Sequence, residues 1–291
     1  MKRYLLIILS IFHALFSYSQ QNRALIIAIS DYPQESGWND IHSDNDLNIL
    51  LPEFKRLNFE VNSLTNEQAT KQNILKMLAR LIDKSNIGDN ICIHFSCHGQ
   101  QMEDTNKDEN DGLDEALIPY DAQLLYKKSE YEGNNHLRDD ELNYYINTIR
   151  KRIGPTGYLF VTIDACHSGT ASRDEEYVED NDAPTRGTNA IFTSNPFFIT
   201  PEKKQVVKTI IHNKEIGQAP ICVISACQPY QRNFETKVDD KYYGTLSYAL
   251  YKVLSKQSCW NVKCHRDIEK TVRQLSIKQI PMFEYTTDEV Q

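Results

Sequence analysis

The chain has no Cys-x-x-Cys pair, no internal repeat and no excess of basic residues, and each absence closes off a class of function. Seven cysteines in 291 residues are too sparse for a disulfide scaffold. Without paired close spacing, a structural zinc site is not expected either. Lys and Arg number 32 against 40 Asp and Glu, a net charge of −8. Phosphate binding relies on clustered cations, so nucleic acid is not an expected partner, whereas cations or basic substrates are compatible with this surface. Long apolar stretches are missing as well. The one extended run, Tyr4 to Phe16, falls short of the roughly 20 residues that a spanning helix needs.

That run nevertheless has a meaning. Lys2 and Arg3 precede it, and the small residues Ser17 and Ser19 follow it, which is the pattern of a secretory signal peptide. Cleavage after Ser19 is expected, leaving a domain over residues 20–291 and making the balance two charges more negative. The mature chain is then expected outside the cytoplasm, periplasmic or secreted, with no membrane span and as a monomer. An odd cysteine count in an exported chain flags at least one free thiol, and Cys259 and Cys264 are close enough to pair across a short loop.

Five short runs rich in Ile, Val, Leu and Phe read as buried parallel strands: 24–30, 59–64, 91–95, 158–163 and 221–225. Helical spacing of apolar residues marks 46–57, 72–82 (with Thr70 as its cap), 140–149 and 246–254. Strands alternating with helices predict an α/β domain with a mostly parallel sheet sandwiched between helices. Two long polar segments, 100–137 and 172–219, interrupt the alternation as insertions near the strand ends.

Ligands of open α/β sheets bind beyond the carboxyl ends of the strands. The third run ends in Ser96-Cys97-His98-Gly99 and the fourth in Asp164-Ala165-Cys166-His167-Ser168-Gly169. An imidazole beside a thiol takes its proton or stabilises the thiolate, which makes Cys166 a candidate nucleophile and His98 its base. Neighbouring residues of an extended chain point oppositely, so His167 does not suit Cys166, nor Cys97 His98. Gly99 permits close approach of a substrate backbone, and amides near Gly99 and Cys166 are candidates for an oxyanion hole.

These two motifs, together with Asp111-Gly112-Leu113-Asp114-Glu115-Ala116-Leu117-Ile118-Pro119-Tyr120-Asp121 between them, resemble the bacterial metacaspases. The similarity runs from about Ala24 to the C-terminal region, through Ile224-Ser225-Ala226-Cys227-Gln228 and Gly244-Thr245-Leu246-Ser247-Tyr248-Ala249-Leu250. The resemblance implies a caspase-like fold and a cysteine endopeptidase with a Cys/His dyad that cleaves after Arg or Lys. For the basic side chain it points to Asp164, two residues before Cys166. It points also to Asp40, counted back six residues from the Asp46 that ends Ser43-Asp44-Asn45-Asp46, and to Ser225. A carboxylate grips a guanidinium bidentately, which suits that role.

Many members need calcium, and the matching acids here are Asp114, Asp139, Asp140 and, one residue off the expected position, Asp174. A weaker calcium pattern is Asp104-x-Asn106-x-Asp108, in which Glu109 stands where glycine is wanted. Members often cut themselves after the catalytic strand, and here 172–219 offers Arg186, Lys203, Lys204 and Lys208. The alternatives are an inactive caspase-like binding module, or a gingipain-like or legumain-like peptidase with another pocket.

Overall fold

A computed structural model describes residues 20–104, 106, 112–166, 183–199, 209–213, 215–228, 231–261, 264–276 and 279–286. The proposed leader (1–19), His167 and Asp174 lie outside them. Seven strands form the central sheet in the order β2-β1-β3-β7-β9-β12-β8. Its middle is the five runs read from the sequence: β1 (Asn22–Ala28), β2 (Phe59–Thr65), β3 (Asn90–Ser96), β7 (Tyr158–Asp164) and β9 (Ile221–Ser225). All of these pair in parallel. Beyond β9, β12 (Met282–Thr286) pairs antiparallel and carries β8 (Thr209–His212) at the edge.

Strand alternation sorts the core into two layers. Leu25 and Ile27 of β1 face α2 (Lys71–Lys84) and α3 (Asp139–Ile153), in a layer with Leu78 and Ile149. Ala24 and Ile26 face α1 (Ser43–Arg56), α4 (Thr245–Leu254) and α5 (His265–Leu275), in a layer with Leu50, Leu250 and Ile268. Both faces of the sheet are covered, which is why its strands read as continuous apolar runs. Burying a side chain of this size stabilises the fold by about 2 kcal/mol. Thr70 caps α2 as expected, its hydroxyl accepting the Asn73 N–H.

The first polar insertion is built into small structure. β4 (Gly99–Glu103), β5 (Leu113–Leu117) and the two-residue β6 (Leu137–Arg138) form a separate antiparallel sheet. Late in the chain β10 (Glu235–Val238) and β11 (Lys241–Gly244) make a hairpin leading into α4. All seven cysteines are free thiols, Cys259 exposed and Cys264 buried. Among the described residues no helix is long and apolar enough to cross a membrane.

Candidate active site

β3 and β7 run side by side, and their last paired residues are Ser96 and Asp164. His98 and Cys166 each stand two residues past that pair, so the register brings them out together at the carboxyl edge of the sheet. Both are nearly fully buried. Trp38 stacks on the His98 ring at 4.8 Å, and Tyr32 lies 5.0 Å away on another side. His98 Nε2 lies 2.8 Å from the Asn39 carbonyl oxygen. A carbonyl only accepts, so Nε2 carries the proton and Nδ1 carries the lone pair. Nδ1 is buried and has no hydrogen-bond partner. Burial also pulls the imidazole down to about 4, which keeps it neutral near pH 7.

Cys166 Sγ donates to the Gln231 carbonyl at 2.9 Å. Cys227 Sγ approaches the same oxygen at 3.4 Å, and its thiol is pushed up by its contact with Cys166 and then by burial. Cys97 is a different case. Burial drives its thiol up to about 12, which makes it a poor nucleophile.

The site is filled by the chain itself. Residues 184–187 cross it: Glu235 N–H donates to the Pro184 carbonyl, Thr185 bridges Phe234, and Arg186 N–H donates to the Asn233 carbonyl. The Arg186 carbonyl accepts the Cys166 N–H at 2.7 Å, a hydrogen bond that polarises it. Gly187 then bridges Gly99 in parallel. A Cβ on Gly187 would collide with the Cys166 carbonyl oxygen and come within 2.8 Å of Cys166 Cβ and 3.0 Å of the Gly99 oxygen. Only glycine passes there. Beside this crossing a cleft of about 330 Å³ is lined by Cys166, Thr185, Gly187, Thr188, Asn189 and Arg232.

The Arg186 side chain is wholly buried among three carboxylates. Its Nη2 lies 2.8 Å from both Asp46 Oδ2 and Glu235 Oε1, and its Nε lies 3.1 Å from the same Glu235 oxygen. Nη1 donates to Ser96 Oγ at 2.7 Å and faces Asp164 Oδ2 at 3.8 Å. Against the cost of burial, Asp46, Asp164 and Glu235 hold the guanidinium above its usual range. Asp46 is raised to about 6, by burial first and then by Asp164 and Glu235, with Arg186 opposing. Asp164 is held below the usual carboxylate range in spite of burial, by Arg186, Asn233 and Ser247. Asn233 Nδ2 donates to one of its oxygens, and the Ser247 amide and hydroxyl donate to the other. Gly244 closes the pocket from the side; a Cβ there would overlap Asp164 Oδ2 and crowd the guanidinium.

Asp164 is therefore in the pocket. Asp40 is not: it is exposed, and its carboxylate accepts the Tyr32 N–H. The aspartate that reaches the guanidinium is Asp46, already present in the quoted segment. Ser225 ends β9, paired with Ile163 and Met282, and none of the contacts to Arg186 described above is with it. Sequence reasoning missed Glu235, Ser96 and Gly244 as pocket walls, and Arg186 as its occupant.

The four acids proposed for calcium do not form a described cluster. Asp114 is paired with the Arg138 guanidinium, Asp140 accepts from Asn106 Nδ2 at 3.1 Å, and Asp139 accepts the Asp140 N–H. Asp174 and Asp108 lie outside the described residues. Among the described residues no group of three or more His, Cys, Asp or Glu converges to hold a metal. A guanidinium on Asp114 does not fit a calcium ligand set as it stands.

Comparison with known proteins finds similar chains. The model of the caspase domain matches residues 21–290. Metacaspase-1 of Eremothecium gossypii is 26% identical over 281 residues, covering 83% of this chain and 59% of that protein. Metacaspase-1B of Neurospora crassa is 32% identical over 168 residues, covering 54% of this chain and 36% of that protein. The matches thus span from about a third to somewhat over half of these relatives' length. A solved structure of a Geobacter sulfurreducens protein has the same fold, with a TM-score of 0.62 at 20% identity, covering 92% of this chain and 95% of that one.

Proposed function

The chain belongs to the caspase domain family, and on that premise we propose that it is a cysteine endopeptidase cutting after arginine or lysine, with Cys166 as nucleophile and His98 as general base. One observation carries the specificity: the Arg186 guanidinium sits among Asp46, Asp164 and Glu235 while its own carbonyl accepts the Cys166 N–H. That is the posture of a substrate residue, adopted by the chain's own Arg186–Gly187 bond.

The chemistry follows from the groups present. The Cys166 thiol gives its proton to His98 Nδ1 and its sulfur attacks the carbonyl carbon. Negative charge develops on the carbonyl oxygen and is met by the Cys166 N–H, with the Gly99 amide as its expected partner. His98 returns the proton to the leaving amine as the C–N bond breaks, leaving a thioester. Water, deprotonated by His98, adds to the thioester, releases the acid and restores the thiol. In the first turnover the substrate is Arg186–Gly187, so that self-processing falls within the 172–219 segment.

Calcium stimulation belongs to this reading on the family resemblance alone, and no step runs through the metal. Export after removal of the leader rests on the pattern of residues 1–19.

Wild type and Cys166→Ala test the proposal on reporters ending in Arg, Lys and Asp, with calcium and with chelator. Cleavage after Arg or Lys that vanishes in the variant is expected. So is a new N-terminus at Gly187 in wild type only. Preferred cleavage after Asp, or none with any reporter, sinks it.

A further inference from the structure

The three carboxylates of the pocket do not read the same atoms. Asp46, Asp164 and Ser96 meet the terminal nitrogens of the guanidinium. Among the described residues Glu235 alone takes the inner edge: its Oε1 accepts from Nε at 3.1 Å and from Nη2 at 2.8 Å. Lysine carries a methylene where arginine carries Nε, so a lysine in this pocket would offer Glu235 no donor at that position. The Glu235 carboxylate is also aimed from behind. His42 donates its backbone N–H to Oε1 at 2.9 Å, and its Nδ1 lies 2.5 Å from Oε2. The His42 ring is half-exposed and is flanked by Tyr242 at 5.2 Å. Glu235 is fully buried, so its orientation is set by His42 on one side and by the occupant of the pocket on the other.

We infer that Glu235 is the residue that makes the pocket prefer arginine over lysine, and that His42 is the positioning residue that holds its carboxylate on the Nε edge. This rests on the reading that Cys166 cuts after basic residues. It goes further by dividing the pocket into a wall that accepts any cation and a wall that recognises a guanidinium.

The test is a ratio: kcat/KM on an Arg-ending reporter divided by kcat/KM on the matched Lys-ending reporter. Residues 184–187 compete equally with both reporters, so their presence cancels. Wild type is expected to favour arginine. Glu235→Leu keeps much of the volume, removes the acceptor that faces Nε, and is expected to shrink the ratio about tenfold, chiefly through loss on the arginine reporter. His42→Ala, at a half-exposed position where the fold tolerates change, is expected to shrink it about threefold. That loss should appear in KM with kcat unchanged, a split that a general loss of folded enzyme does not produce.

A ratio within twofold of wild type in Glu235→Leu overturns the role of Glu235. If that variant does not fold, an unchanged ratio in His42→Ala overturns the inference on its own. Wild type that turns over neither reporter sinks the peptidase reading, and this inference falls with it.

Discussion

Replacing Arg186 with methionine in a Cys166→Ala background separates the packing of the pocket from its chemistry, because no self-cleavage then complicates the measurement. Methionine fills much of the same volume without charge. It leaves Asp46, Asp164 and Glu235 buried side by side with their shared cation gone. Removing one partner of a buried charge array costs about 3–5 kcal/mol. At roughly 2 °C per kcal/mol for a domain of this size, the melting temperature at pH 7.5 should fall by about 6–10 °C. The loss should shrink on acidification. Asp46 is already raised to about 6 with the arginine in place, and loss of the guanidinium, which lowers it, raises it further. A group whose folded pKa is raised is stabilising below its unfolded value and loses that contribution as pH rises through the folded one. The gap between parent and variant should therefore be smaller at pH 5 than at pH 7.5. Differential scanning fluorimetry at both pH values is enough. A shift below 2 °C at pH 7.5, or a gap that widens at pH 5, would refute the placement of the guanidinium among three carboxylates.

Gly244→Ala puts a methyl group into Asp164 Oδ2 and the guanidinium, so turnover of Arg-ending reporters should fall at least a hundredfold while the melting temperature of the uncut chain also drops. Gly187→Val meets backbone of Cys166 and Gly99 that cannot step aside, so the segment should be expelled. Self-cleavage at that bond should then slow at least tenfold on a gel, while an added Arg reporter is cut without delay. Stability should fall as pH drops from about 6.5 to 4, because burial holds His94, His98 and His136 down at about 4, 4 and 3. Each stays neutral in the fold while its unfolded counterpart charges, a loss on the order of 3 kcal/mol per histidine at the acid end, partly offset by Asp46 with its opposite sign. Urea midpoints at pH 7, 6, 5 and 4 check this; a flat profile would contradict it.

The sheet was legible because its inner strands are buried on both faces, and such strands announce themselves as unbroken apolar runs. The strands at 99–103, 113–117, 235–238 and 241–244 were not, since they are short and mix polar with apolar residues in neither a run nor an alternation. His98 and Cys166 could be paired from sequence because strand ends in a parallel sheet share an edge. The pocket behaved otherwise. Asp164 lies two residues from the nucleophile and inherits its position, whereas the second carboxylate was sought by counting along a loop. A loop count carries no geometry: it led to Asp40, which is spent on the Tyr32 amide, and passed over Asp46, which α1 aims inward. Glu235 lies 69 residues beyond Cys166 on a hairpin whose place is fixed only by tertiary packing, so nothing local marked it. The three acids of this pocket are ordinary in sequence and are made unusual only by complete burial.

That burial constrains how the protein can exist at all. Carboxylates buried together without their cation repel one another and have lost their water, so an empty closed pocket is disfavoured. Arg186 supplies the missing cation from within the chain, and it does so through a segment that also satisfies the backbone of Asn233 and Glu235. The fold is thereby completed by an arginine of the chain itself. Cutting Arg186–Gly187 would not remove the cation at once, because the new carboxyl-terminal arginine keeps every side-chain contact it had. What changes is the tether: a loop held at both ends becomes a strand end that can leave and be replaced. Release of the pocket should therefore lag behind cleavage, and activity toward added substrate should rise more slowly than the cut chain accumulates. Following both in one time course tests it, the cut by gel and the activity by Arg reporter. Curves that superimpose would mean that the arginine departs as fast as the bond breaks, and that its contacts with Asp46 and Glu235 contribute little to holding it.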